Sequence, residues 1–261
     1  MNFFEKAHSA LKDFFYARGY CCDFCGREVF EYPYKRLCAR CEETLVRSDG
    51  LRCPLCGRKT VAEGACLLCK SAPPKFDKGI SPLVYRGDTA SMVNRIKNGD
   101  RRLVPFLAEE MTADLLALAP NLKTSFDGGR YEASAQKLLI LAVPMTDKKR
   151  EERGYNQAEL LAERVTKYLQ EEGIAAVCDF EVLEKKRETS QQKHLGVAAR
   201  KENVRGAFHV HKRAFCQGKT IVLIDDIMTT GATGGECARL LKGAGASNVY
   251  FLTVAALAER K

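Results

Sequence analysis

Ile221-Val-Leu-Ile-Asp-Asp-Ile-Met-Thr-Thr-Gly-Ala-Thr233 decides how the rest of this chain is read. The run Thr220–Ile224 has the unbroken apolar character of a strand buried on both faces, the habit of parallel sheets. It delivers two adjacent carboxylates, Asp225 and Asp226, to the strand terminus, where open parallel sheets gather their ligands. Thr229-Thr-Gly-Ala-Thr233 then offers three hydroxyls and consecutive backbone N–H groups at the start of a helix predicted from about 233 to 242. Such a turn binds an oxyanion through its amides and the positive end of the helix dipole, without needing a lysine. Gly231 removes the Cβ that would keep a ligand from the backbone. The paired acids can accept hydrogen bonds from vicinal hydroxyls, and acid beside phosphate suits a bridging divalent cation, Mg²⁺ first. No GxxxxGK loop occurs anywhere in the chain, which argues against an ATP-driven motor.

Outward from this stretch, strand and helix signals alternate. Leu138–Val143 is an apolar run ended by Pro144, and Asn156 opens a helix with apolar positions 158, 160, 161, 165 and 169, closed by Gly173. Ile174–Phe180 and Val249–Val254 read as further strands, and Leu103–Ala119 as a helix stopped by Pro120. Residues 121–137 are polar, with Gly128-Gly129, and read as a surface loop. Alternation of this kind implies an α/β fold with a parallel sheet covered on both faces.

The N-terminal part has another character. After an amphipathic helix predicted over Phe3–Tyr16, nine of the 12 cysteines fall within residues 21–69. Eight form Cys-x-x-Cys pairs: Cys22/Cys25, Cys38/Cys41, Cys53/Cys56 and Cys66/Cys69. With no export signal at the N-terminus, pairs at this spacing read as metal ligands and not as disulfides. Four thiolates close a tetrahedral site with no open position for chemistry, so two structural Zn²⁺ ions are expected. Spacing leaves the pairing open between sequential knuckles and an interleaved cross-brace. Ser71-Ala-Pro-Pro74 then marks a linker. The expected organisation is therefore a small zinc-ribbon module with its helix and linker at 1–74, and the parallel-sheet domain at 75–261.

Composition agrees with a soluble globular chain: 261 residues, 46% hydrophobic and 29% charged. No apolar run approaches the roughly 18 residues of a membrane span. The formal charge of +9 drops to about +5 when eight zinc-bound thiolates and two divalent ions are counted. Residues 184–219 hold 10 basic and 3 acidic side chains, a local excess that implies phosphorylated small molecules or nucleic acid as partners.

All thirteen positions of 221–233 resemble the 5-phosphoribosyl-1-pyrophosphate (PRPP) signature of type I phosphoribosyltransferases. The resemblance implies that Asp225 and Asp226 meet the ribose hydroxyls at the catalytic edge. It places the 5-phosphate on Thr229, Thr230, Gly231, Ala232 and Thr233. A pyrophosphate loop is implied within 143–157, with Lys148, Lys149, Arg150 and Arg153, and a flexible loop within 184–205, with Arg187, Gln192 and Arg200. More narrowly, the chain is similar to the ComF family over about residues 20–255. The motifs are the cysteine ribbon, Val143-Pro144 leading to Arg150-Glu-Glu-Arg-Gly-Tyr-Asn-Gln-Ala158, a Glu188-Thr-x-Gln tract leading through Arg200 to Asn203-Val-x-Gly-Ala-Phe208, and the PRPP signature. The third tract departs from the family pattern at Arg187-Glu-Thr189 and at the doubled Gln191-Gln192. Membership implies a role in natural competence and DNA uptake, with a helicase-like partner.

Three readings follow: transfer of phosphoribosyl from Mg²⁺-PRPP to a nitrogen acceptor, a non-catalytic single-stranded-DNA-binding factor that keeps the pocket as sensor or relic, and a zinc half that docks a partner without touching DNA. His8, His194, His209 and His211 show no ligand pattern, with His209 and His211 on one face of a strand. Cys178, Cys216 and Cys237 are expected as core thiols, and Tyr155 as a packing residue before a base-stacking one.

Overall fold

The computed structural model describes residues 20–31, 35–120, 122, 138–188 and 202–259. The helix expected over Phe3–Tyr16, nearly all of the 121–137 loop, His8, His194, Gln192 and Arg200 lie outside them. By packing, the chain gathers into two compact units, Met1–Leu45 and Val46–Lys261. The second cysteine quartet and the Ser71–Pro74 linker are thus built into the body of the larger unit.

Among the described residues, the smaller unit holds the Cys22–Gly26 knuckle and a short helix, α1 (Ala39–Glu43). Gly26, at φ +75°, turns the chain after Cys25, and its N–H donates to the Cys22 carbonyl at 2.9 Å. The larger unit opens with the same device. Gly57, at φ +71°, donates to the Cys53 carbonyl at 2.9 Å, and a second short helix, α2 (Leu67–Ser71), begins at Cys66.

A parallel sheet fills the rest. Its strands are β1 (Lys78–Ile80), β2 (Leu83–Val84), β3 (Leu138–Ala142), β4 (Ala176–Cys178), β7 (Thr220–Met228) and β8 (Asn248–Ala256), in the order β1-β8-β7-β3-β4 with β2 beside β8. Every pairing in it is parallel. A two-stranded antiparallel ribbon, β5 (Leu183–Lys185) with β6 (Phe208–Val210), stands apart. The helices are α3 (Gly87–Lys97), α4 (Val104–Leu118), α5 (Asp147–Arg153), α6 (Gln157–Glu171), α7 (Arg213–Cys216) and α8 (Ala232–Gly243). Alternation across a strand explains the two covered faces. Ile221 and Leu223 share a buried cluster with Cys237, Ala238 and Leu241 of α8, so Val222 and Ile224 face the other way, and both are fully buried.

Helix α6 starts where its cap predicts: the Asn156 side chain accepts from Ala158 N–H at 3.0 Å, satisfying one of the first-turn donors. Two elements differ from expectation. β7 runs on through the acidic pair to Met228, because β8 stays paired with it as far as Ala256. The basic stretch after Pro144 is the helix α5, ended by Gly154 at φ +79°. Cys216 and Cys237 are buried as expected, whereas Cys178 is exposed at the end of edge strand β4. No described helix is long and apolar enough to cross a membrane.

A crevice beside an acidic strand, backed by a cysteine knuckle

On one side of β7 the sheet stops early. β3 ends at Ala142, opposite Ile224, and Val143 N–H makes the last contact with the Ile224 carbonyl at 2.8 Å. Past that point β7 continues with β8 alone, so Asp225 and Asp226 border a crevice although they lie within a strand. The crevice forms where one strand outlasts its neighbour, at the carboxyl end of the sheet.

The two acids leave β7 on opposite faces. Asp226 is 6% exposed, and its Oδ2 receives the Lys97 ammonium of α3 and the Gln157 amide of α6, each at 2.9 Å. Arg153 in turn donates to Gln157 Oε1 at 2.6 Å, which joins α5 to this chain of contacts. Asp225 is half-buried and accepts the Asp226 N–H at 2.9 Å. Burial, with the neighbouring Asp226 charge, pushes its carboxyl up to about 8. Burial and the nearby Lys149 lower Lys185, on the ribbon.

Thr229, Thr230 and Thr233 are half-buried around the turn that enters α8. Gly231 takes the left-handed φ of +79° that a side chain disfavours, and its N-cap position starts a helix of 12 residues. Ala232 N–H donates to Thr230 Oγ1 at 3.3 Å. Lys97, Asp225, Asp226, Thr229, Gly231 and Thr233 line one cavity of about 220 Å³. The acids and hydroxyls there are oxygen donors, the set that Mg²⁺ accepts.

The other expected residues are more dispersed. Lys149 pairs with Glu188 at 3.5 Å, Arg150 is held by Glu159, and Lys148 is exposed. Of the anticipated basic residues on α5, Arg153 alone contacts the Asp226 network among the hydrogen bonds described here. Arg187 donates to the carbonyls of Asn203 and Arg205, each at 3.1 Å. Lys97 and Gln157 carried no motif of their own, although Gln157 lies inside the quoted 143–158 tract. Tyr155 is a packing residue: its hydroxyl receives Gly99 N–H at 2.7 Å and donates to the Ile96 carbonyl, which pins the end of α3 that carries Lys97. The rings of His209 and His211 meet edge-on, 5.0 Å between centroids, and both are exposed.

The cysteines resolve the pairing that spacing left open. Cys22, Cys25, Cys38 and Cys41 form one group and Cys53, Cys56, Cys66 and Cys69 the other, with the four sulfurs of each group within 4.8 Å of one another. A zinc tetrahedron with bonds of about 2.3 Å has edges of about 3.8 Å. The Cys25–Cys38 and Cys56–Cys66 sulfurs stand 3.7 Å apart, close to that edge, so each quartet is spaced as zinc ligands could be. The cross-brace is ruled out.

Residues 151–261 match the phosphoribosyl transferase domain family, the class that the parallel sheet, its crevice and the threonine turn define. Curated relatives extend the likeness toward the N-terminus. "DNA utilization protein YhgH" of Escherichia coli K12 is 27% identical over 83% of this chain and 89% of its own length. "Competence protein F" of Haemophilus influenzae is 25% identical over 95% of this chain and 96% of its own, and "Competence protein ComFC" of Bacillus subtilis 25% over 85% of each. With the two quartets preceding the transferase-type sheet, the chain is similar to these competence and DNA-utilization proteins over most of its length.

Proposed function

We propose that the chain binds Mg²⁺-PRPP in the crevice beside β7 and transfers the phosphoribosyl group to a nitrogen acceptor, releasing pyrophosphate. The observation that carries this is the juxtaposition of Asp225 and Asp226 with the Thr229–Thr233 turn around one cavity. The turn would hold the 5-phosphate by N–H groups and hydroxyls, and Asp225 and Asp226 would accept the ribose hydroxyls. Lys97, already inside the cavity, supplies fixed positive charge near the sugar, and Arg153 through Gln157 keeps the acid edge in register. Catalysis of this kind is positioning and electrostatic: charge leaves with the diphosphate while the sugar becomes cationic in character. Asp225 and Asp226 would hold Mg²⁺, which would supply positive charge to neutralise that developing negative charge. The two quartets would each carry a structural zinc, giving two per chain.

Titration of Mg²⁺-PRPP by calorimetry tests this reading, with pyrophosphate release assayed across a panel of bases. Heat and release that vanish in the Asp225→Asn, Asp226→Asn double variant support it. No heat with the parent chain ends it.

A second reading concerns single-stranded DNA. Its support is the printed names of the relatives and the basic excess over residues 184–219. A phosphate-dominated interface loses affinity steeply with salt, so an oligonucleotide affinity unchanged between dilute and physiological buffer would remove it. The family resemblance adds a cytoplasmic setting and a helicase-like partner to this reading.

A further inference from the structure

Arg58 is the one-residue link between the second cysteine quartet and the anion turn. It follows Cys56 and Gly57 on the knuckle, yet it is 4% exposed. Its Nε donates to Cys56 Sγ at 3.3 Å, one terminal nitrogen donates to the Thr229 carbonyl at 2.7 Å, and the other to the Leu257 carbonyl at 3.3 Å. A guanidinium this deeply buried is tolerable only when its donors are taken and its charge is balanced. Carbonyls supply the first condition. The thiolate cluster supplies the second, since four thiolates around one divalent ion leave two net negative charges.

The Thr229 contact has a geometric consequence. A peptide unit is planar and trans, so its C=O and N–H point to opposite sides. Arg58 draws the Thr229 carbonyl toward the knuckle and thereby turns the Thr230 N–H the other way, along the run of amides that enters α8. Phe76 and Phe251 pack on one side of the turn, but a cavity of about 510 Å³, lined in part by Cys56, Cys69, Phe76, Thr230 and Gly231, lies against it on another. Hydrogen bonds to Arg58 therefore add a restraint that packing supplies from one side only.

We propose that Arg58 is a positioning residue for the Thr229–Thr233 turn, through which metal occupancy of the Cys53/Cys56/Cys66/Cys69 quartet sets the order of that turn. Arg58 touches neither sugar nor phosphate in this arrangement. It acts through the Thr229 carbonyl. The coupling is reciprocal, so a ligand that orders the turn also tightens metal binding at this quartet. Where it concerns the phosphoribosyl ligand, the proposal rests on the reading above. Where it concerns the turn itself, it does not.

Hydrogen exchange of the peptide covering 225–236 in the zinc-loaded full chain tests it. Arg58→Met should retain both zinc ions, because Arg58 is no ligand, while the amides of 230–233 exchange at least about ten-fold faster and those of 221–224 stay as in the parent. Arg58→Lys, which keeps the charge but cannot span the sulfur and both carbonyls, should fall between the two. Chelation of zinc from the parent chain should loosen the same four amides, and this arm decides the matter if Arg58→Met does not fold. Turn exchange unchanged by both Arg58→Lys and chelation overturns the proposal, as does loosening spread evenly over 221–224 and 230–233. Mg²⁺-PRPP titrated into the same proteins separates the two claims: no heat with the parent sinks the phosphoribosyl reading, while exchange alone still judges the coupling.

Discussion

The two cysteine quartets share a local design and differ in what surrounds them. Each has a Cys-x-x-Cys-Gly turn with the glycine at positive φ, and each has its second pair at the start of a five-residue helix. In the first quartet Cys25 is exposed and Cys38 half-buried, and a Cβ on Gly26 would meet nothing within 4 Å. In the second all four cysteines are buried within a cluster that includes Leu139, Leu223 and Phe251 of the sheet. A Cβ on Gly57 there would lie 2.2 Å from the Gly79 carbonyl oxygen, and one on Gly79 would lie 2.4 Å from that of Cys56. Ligand spacing thus specifies a metal site equally well in both places. What a bound metal would stabilise depends on the surroundings: the first quartet lies in the small unit, and the second lies in the larger unit's core.

The largest break in the comparison comes from removing ligands. Cys22→Ser with Cys25→Ser and Cys53→Ser with Cys56→Ser should each lower zinc from two ions to one by elemental analysis. The second pair alone should lower the midpoint of the main thermal transition, because its sulfurs lie within the larger unit's buried cluster, while the sheet keeps its own core and stays folded. Equal melting of the two variants would mean that the second quartet is as peripheral as the first.

Glycine substitution sharpens the contrast without touching a ligand. Gly57→Ala combines a positive φ with a backbone collision and should cost about 3 kcal/mol or more, near 10 °C in a unit of this size. Gly26→Ala carries the conformational penalty alone, about 1 kcal/mol, in the smaller unit. Thermal melts with zinc content measured alongside separate the two.

A third test asks how far the larger unit's stability extends from knuckle to crevice. Lys97→Met strips a cation from the buried Asp226 carboxylate, leaving Gln157 as its neutral partner. A loss of about 2 kcal/mol by denaturant unfolding is expected, below the value for a fully buried pair because Lys97 is partly exposed. No loss would show the crevice to be electrostatically slack.

The smallest effect is one of pH. Asp225 is raised from the ordinary carboxylate range to about 8 by burial and by Asp226. Between those values the unfolded chain has lost the proton that the folded chain retains, so stability falls as pH rises across the window. Asp225→Asn removes that slope. It should melt a few degrees, about 3 °C, above the parent at pH 8, with the gap closing by pH 5. The smaller unit, which lacks Asp225, should show no matching difference.

Much of this architecture was legible in the chain. The apolar runs at 138–143, 220–224 and 249–254 became neighbouring parallel strands, and Asn156 capped its helix, because burial on both faces and capping are local demands that composition answers directly. The threonine turn was legible for the same reason, since a positive φ and a row of small residues are local requirements. Spacing along the chain does not encode distance across it, so Lys97 and Gln157 went unmarked until α3 and α6 brought them to Asp226. Likewise the basic run at 148–153 reads as a loop until it folds as α5, which turns Arg150 to Glu159 and Arg153 to Gln157 on the following helix α6.

Sequence alone determined the strand-and-turn chemistry around Asp225 and the eight sulfur ligands, because each of these is written in residues a few positions apart. Tertiary structure decided which sulfurs lie together, where the crevice opens, and that Arg58 reaches Thr229, 171 positions away along the chain. The physical reason is range. Backbone conformation and capping are settled within a turn or two of chain, whereas a buried charge finds its partners only after the sheet has excluded water around them.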